Sequence, residues 1–380
     1  GDLTRPDAIN QRLDNKNGLN KNSAIGIEFV LKLNGLECKE FYIKLGVNKV
    51  NETIDNKMIS DIKNELINTK QFWDNYIETI QIKTPERSLD ILMNGWLIYQ
   101  TVASRLFSKT GYYQSGGANG FRDQLQDVIG MKYVDSNLLR EQILLAARHQ
   151  FIEGDVLHWW HEETKKGVRT RFSDDYLWLV YAVLEYITVV NSDEMLFEKV
   201  EYLKGEELKE DEYEKYNVFY AGNIEENIFK HCERAINCCI SKGIDPFPKI
   251  GIGDWNDGFS NVGKDGKGMS VWLGFFLYDI LNRFIPVCER MDRKDLVSKY
   301  SEVREKIKKN LNTEQLIMTV FSVLIPTKCV LLVSATLSQV FLTLMVVVEL
   351  SVTIVVWHFM VLTDSLKKRK KIKHFVHRAH

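Results

Sequence analysis

The sequence predicts a mostly α-helical protein whose main body is an α/α barrel with its working residues at one rim. Long apolar patterns of helical period recur through residues 86–312, at 89–106, 137–150, 174–190, 225–242 and 270–290. Polar, glycine-rich and aromatic loops separate them at 115–127, 154–175 and 249–268. Helices paired through such loops describe a barrel, and functional residues concentrate on loops of this kind. Strand-like runs are confined to residues 24–50.

In chain order, residues 1–50 read as the end of a β-domain. AIGIEFVLKL (24–33) and FYIKLGV (41–47) are apolar runs with an Asn34-Gly35 turn signal between them. So few strands cannot bury a sheet face alone, so they are expected to be a remnant of a larger β-domain. The opening GDLTRPDAINQR lacks a Met and lacks the apolar run of a signal peptide, and truncation at both ends is the expectation. Residues 51–85 read as a helical linker, with Ile59, Ile62 and Leu66 on one stripe. Residues 86–312 are the incomplete barrel. Residues 313–380 form a Val- and Leu-rich tail that loses the charge pattern.

Composition narrows the function classes. Hydrophobic residues make up 45% and charged residues 27%, with a formal net charge of -1. That balance suits a globular protein and argues against nucleic acid as a partner. The six cysteines, Cys38, Cys232, Cys238, Cys239, Cys288 and Cys329, make no CxxC pair. Reduced thiols in a cytoplasmic protein are expected.

Three loops carry the chemistry. The first, YYQSGGANGFRDQLQD (112–127), places Arg122 and Asp123 after glycines that permit close backbone approach. Its donors and acceptors suit sugar hydroxyls, while an Asp here also suits a helix N-terminus. The second (153–178) holds Asp155, His158, Trp159, Trp160, His161, Arg169, Arg171, Asp174 and Asp175. His158 and His161 are poorly spaced for zinc, so no metal is expected. An ion-paired network around a polar pocket is the simpler reading, with Ser173 or Asp174 available to cap the next helix. The third, GIGDWNDGFSNVGKDGKG (251–268), sets Asp254 and Asp257 around Trp255-Asn256. A carboxyl desolvated by an indole stays protonated near neutral pH, as a general acid requires. The acidic spacing does not fit a Ca²⁺ loop, and an ordinary turn remains the alternative.

Taken together, YQSGGANGFRDQLQD, EGDVLHWWH, GVRTRFSDD, GDWNDG and KGMSVWLG resemble the inverting phosphorylases of glycoside hydrolase family 94 across roughly residues 94–281. With NGWLIYQT before it, the first motif is most similar to the β-1,2-glucan branch. Cellobiose-type members carry an extra Arg where this chain has Gly117. The resemblance implies a β-sandwich, a helical linker and an (α/α)6 barrel. It implies phosphorolysis of β-linked gluco-oligosaccharides to an α-sugar 1-phosphate, with inorganic phosphate as co-substrate and no cofactor. By motif position Asp257 matches the general acid and Trp255 a sugar contact. Arg122 and Asp123 match binding groups for the glycosyl unit, and Arg171, Asp174 and Asp175 are expected in the pocket wall. Full-length members are often dimers.

After residue 312 the resemblance stops. Read two bases later, the codons for residues 313–328 permit a family-like segment, so a reading-frame shift near Asn312 is expected. The rival reading takes residues 329–348, twenty without a formal charge, as a membrane span followed by the basic run Lys367, Lys368, Arg369, Lys370, Lys371. Two further functions compete: an inverting hydrolase on the same barrel, and an inactive, membrane-attached glucan-binding remnant.

Overall fold

The computed structural model describes residues 30–39, 62–109, 116–263 and 265–312. The chain divides into two units, Gly1–Thr69 and Lys70–His380. In the first, residues 30–39 form a turn and no strand. Asn34 and Glu37 close it, the Glu37 carboxylate accepting from the backbone and amide nitrogens of Asn34 at 3.0 Å each. The alternation expected to make a strand finds no paired neighbour among the described residues. The rest of the β-remnant and the whole 313–380 tail lie outside those residues.

Helix α1 (Ile62–Ile77) lies within the stretch expected to be helical. Its Phe72, Trp73 and Tyr76 pack against Ile98, Val102 and Met131, and the Tyr76 hydroxyl donates to Asp135 at 2.8 Å. The helix expected over 89–106 is instead a broken succession of α and π turns between Arg87 and Phe107. Gly95 takes a non-helical conformation at its centre. Beside it the Asn94 amide turns back to bond both backbone groups of Ile82, at 2.7 and 2.8 Å.

Five long helices follow: α2 (Phe121–Ile129), α3 (Ser136–Ala147), α4 (Asp175–Val190), α5 (Ile228–Ser241) and α6 (Val271–Arg290), with α7 (Lys294–Leu311) packed on α6. Helix α4 is the centre. Every residue from Asp175 to Glu185 is buried, and α2, α3, α5 and α6 all touch it. A helix apolar nearly all round must be enclosed in this way. Helix α6 is long and apolar enough to cross a bilayer. Here its Leu273, Phe276, Leu277, Ile280, Leu281 and Phe284 are core residues.

The second motif loop is more ordered than its sequence predicts. Strands β1 (Asn119–Gly120), β2 (Leu157–His161), β3 (Lys166–Thr170) and β5 (Glu214–Val218) form an antiparallel sheet in that order, and β4 (Lys199–Lys204) pairs with β6 (Tyr220–Asn227). Strand β6 occupies the first residues of the stretch expected to be helix 225–242, so α5 begins at Ile228, with the Asn227 side chain capping it. The sheet sets β1, the entry to α2, beside β2. Gly120 thereby registers with Trp159, and Asn119 with Trp160.

Candidate active site

Arg122 is the second residue of α2 and brings all three motif loops together. Its Nη1 donates to both carboxylate oxygens of Asp174 at 3.1 Å and to the Asp254 carbonyl at 2.9 Å. Its Nη2 donates to Asp257 Oδ1 at 2.6 Å. The guanidinium is 7% exposed and Asp174 fully sealed, whereas the Asp257 side chain is 62% exposed. Burial pulls the Arg122 pKa down, but Asp174, Asp175 and Asp257 more than offset it and the pKa is raised. Arg122 is therefore a fixed cation. Burial pushes the Asp174 carboxyl up, and the pull of Arg122 opposes it. The Trp178 indole adds an N–H to Asp174 Oδ2 at 2.9 Å. Asp174 stands at the N-cap of α4 but makes no side-chain cap bond, because its oxygens face Arg122 and Trp178.

The third loop is anchored by glycines where no side chain fits. Gly251 has φ +64°, and a Cβ there would lie 1.9 Å from the Arg171 carbonyl oxygen; one on Gly263 would lie 1.5 Å from the Gly251 carbonyl oxygen. The two aspartates of GDWND part company. Asp254 is buried and accepts from the Asn256 backbone at 2.9 Å and from the Ser270 hydroxyl. Ser270 in turn caps α6. Asp257 opens the short turn Asp257–Phe259 and faces outward. The desolvation expected of Asp257 is absent from this conformation. Trp255 is 53% exposed, and its indole N–H is directed to Gln126 at 3.3 Å.

The remaining expected residues divide. Asp123 is half-buried and folds back over Gly120, where a Cβ would meet its Oδ2 at 2.5 Å. Asp175 is buried and paired with His158, Nδ1 to Oδ2 at 2.7 Å. Arg171 is not brought into the cluster by any hydrogen bond. Its guanidinium donates to the carbonyls of Leu208, Lys209 and Glu212 and ties down the segment before β5. Arg169 pairs with Asp155 and Glu153 rather than with the Asp174-Asp175 couple. Gln126, which the first motif already offered among its donors and acceptors, is the partner of Trp255. Residues the sequence did not single out include Trp178 and Phe172, which only their closeness to Arg122 in the folded chain identifies.

The arrangement offers one exposed carboxylate, one immobilised guanidinium, a half-buried carboxylate and an exposed indole on two of the motif loops. The model for the glycosyl hydrolase 94 superfamily catalytic domain matches residues 72–316. The cyclic beta-(1,2)-glucan synthase NdvB of Rhizobium meliloti (strain 1021) is 39% identical over 243 residues, 63% of this chain and 8% of that protein. An N,N'-diacetylchitobiose phosphorylase of Vibrio proteolyticus is 23% identical over 310 residues, 73% of this chain and 36% of the relative. A cellobionic acid phosphorylase of Neurospora crassa is 26% identical over 234 residues, 59% of this chain and 26% of the relative. The chain thus spans well under half the length of each of these relatives.

Proposed function

We propose, on the premise that the chain belongs to the glycosyl hydrolase 94 superfamily, that it carries the proton-donating half of an inverting β-glucoside phosphorylase site. Asp257 delivers a proton to the departing glycosidic oxygen. Inorganic phosphate attacks the anomeric carbon from the opposite face and yields an α-sugar 1-phosphate. Phosphate is already a nucleophile, so the second carboxylate that an inverting hydrolase needs to activate water is dispensable. Arg122, Asp123 and Trp255 hold the glycosyl unit, and Asp174 fixes Arg122.

The observation that carries this reading is the convergence of the three loops on Arg122, with Asp257 as the exposed carboxylate of the cluster. The pairing also poses a chemical requirement. Asp257 Oδ1 accepts from the Arg122 guanidinium at 2.6 Å, whereas a general acid must be free to carry and deliver a proton. A sugar that takes Arg122 as a hydrogen-bond donor, with Trp255 closing over its ring, would release and desolvate Asp257 together. The helices then belong to an (α/α)6 barrel, and the substrate is a β-1,2-linked gluco-oligosaccharide, as the relatedness to the glucan synthase favours.

The test is product release with and without phosphate. The 380-residue chain is expected to release no sugar phosphate. A chain with the family-like segment restored after residue 312 is expected to release α-glucose 1-phosphate only when phosphate is present. Glucose release in phosphate-free buffer would instead favour the hydrolase.

A further inference from the structure

On that same reading of the pocket, we infer that His158 is an additional sugar-contacting residue, donating its Nε2–H to a hydroxyl of the glycosyl unit. Two constraints fix its ring. Nδ1 is bonded to Asp175 Oδ2 at 2.7 Å, and the imidazole lies flat on Phe172, centroids 4.3 Å apart and planes within 9°. The same Phe172 ring has the Arg122 guanidinium at 5.7 Å. Asp175 follows Asp174, which Arg122 grips. His158 therefore stands beside the Arg122–Asp257 pair, one aromatic ring from the guanidinium.

What is left open on this pair points to a ligand. Nε2 makes no hydrogen bond among the described residues, and the His158 side chain is 21% exposed against 2% for Asp175. The Asp175 Oδ1 atom is buried with no partner, so its carboxylate has the imidazole as its one hydrogen-bonded neighbour. The Asp175 carboxylate favours the protonated ring, and both ring nitrogens of a protonated imidazole donate. Burial pulls His158 down, yet Asp175 more than offsets it and the pKa is raised, with Arg122 opposing and Asp257 assisting. The charged groups facing the ring are thus Asp175 from α4, Arg122 from α2 and Asp257 from the third loop. A fixed N–H on a partly exposed ring beside the Arg122–Asp257 pair suits a neutral hydroxyl acceptor, and a sugar ring offers several.

The test is calorimetric titration of the whole 380-residue chain with β-1,2-glucobiose and its monodeoxy analogues, with circular dichroism and Tm checking that each variant folds. His158→Ala is expected to weaken binding about 10- to 100-fold, the range for a hydrogen bond to a charged group. His158→Gln, which retains an N–H, should recover part of it. One monodeoxy analogue should bind wild type and His158→Ala alike, while the parent sugar distinguishes them. A purely structural role would weaken all analogues in parallel, and that result overturns the inference. So does wild-type affinity in His158→Ala when Arg122→Ala abolishes binding, and in that case the reading of the pocket stands. If the wild-type chain binds no sugar, that reading falls and this inference falls with it.

Discussion

Replacing Arg122 by Ala would leave the fully buried Asp174 facing only the Trp178 indole. Breaking a buried pair from one side costs about 3–5 kcal/mol, so Arg122→Ala is expected to lower Tm substantially at neutral pH. Burial already favours the neutral acid at Asp174. A group whose folded pKa is raised loses stability as pH rises above its unfolded value. The penalty in Arg122→Ala should therefore shrink as the buffer is acidified, and a penalty independent of pH would contradict the assignment. At this scale the sequence was informative about identity but not about division of labour. GDWND presents two aspartates in equivalent settings around one tryptophan. Only the fold directs Asp254 inward to Ser270 and Asn256 and Asp257 outward to solvent. Arg171 likewise looked like a pocket residue, yet its partners are carbonyls some forty positions later in the chain, a distance local pattern cannot bridge.

At the scale of elements, helix α4 was legible because an unbroken apolar helical run has few alternatives to burial. Its ends were legible too: it begins after Ser173-Asp174 and ends at Asn191, which takes the left-handed conformation at φ 51°. The hairpin of β2 and β3 was not legible. Its strands are five residues each and are built from His, Trp, Lys and Arg, so their alternation is hidden by functional residues. Glu185 shows how α4 is tied to its surroundings: it accepts from Lys132 of the α2–α3 connection and from Arg283 of α6 at 2.8 Å. Burial raises its pKa, but those cations outweigh burial and the folded value is lowered below 4.5. The stability it contributes is present above the unfolded pKa and is lost as pH falls through the folded one. Glu185→Gln should cost about 3 kcal/mol at pH 7, and the gap to wild type should close in denaturant titrations below about pH 4.5. A gap that persists unchanged into acid would rule out this tie.

Across the whole molecule, the change of character after residue 312 was the plainest feature of the sequence and falls outside the described residues. What is described is a helical body whose family match ends at residue 316 and whose Ile91, Trp96 and Phe107 remain exposed. The fold class followed from periodicity, because it depends on many weak signals added over long helices. The closure of the site followed from motif order, because three loops distant in sequence can meet only if the helices between them pair. The account stands most directly on one rate: α-glucose 1-phosphate release from β-1,2-gluco-oligosaccharide by the chain restored after residue 312, with Asp or Asn at position 257. It predicts phosphate-dependent release that falls about 10²- to 10⁴-fold in Asp257→Asn, with sugar affinity retained. Release at an undiminished rate in that variant would contradict it.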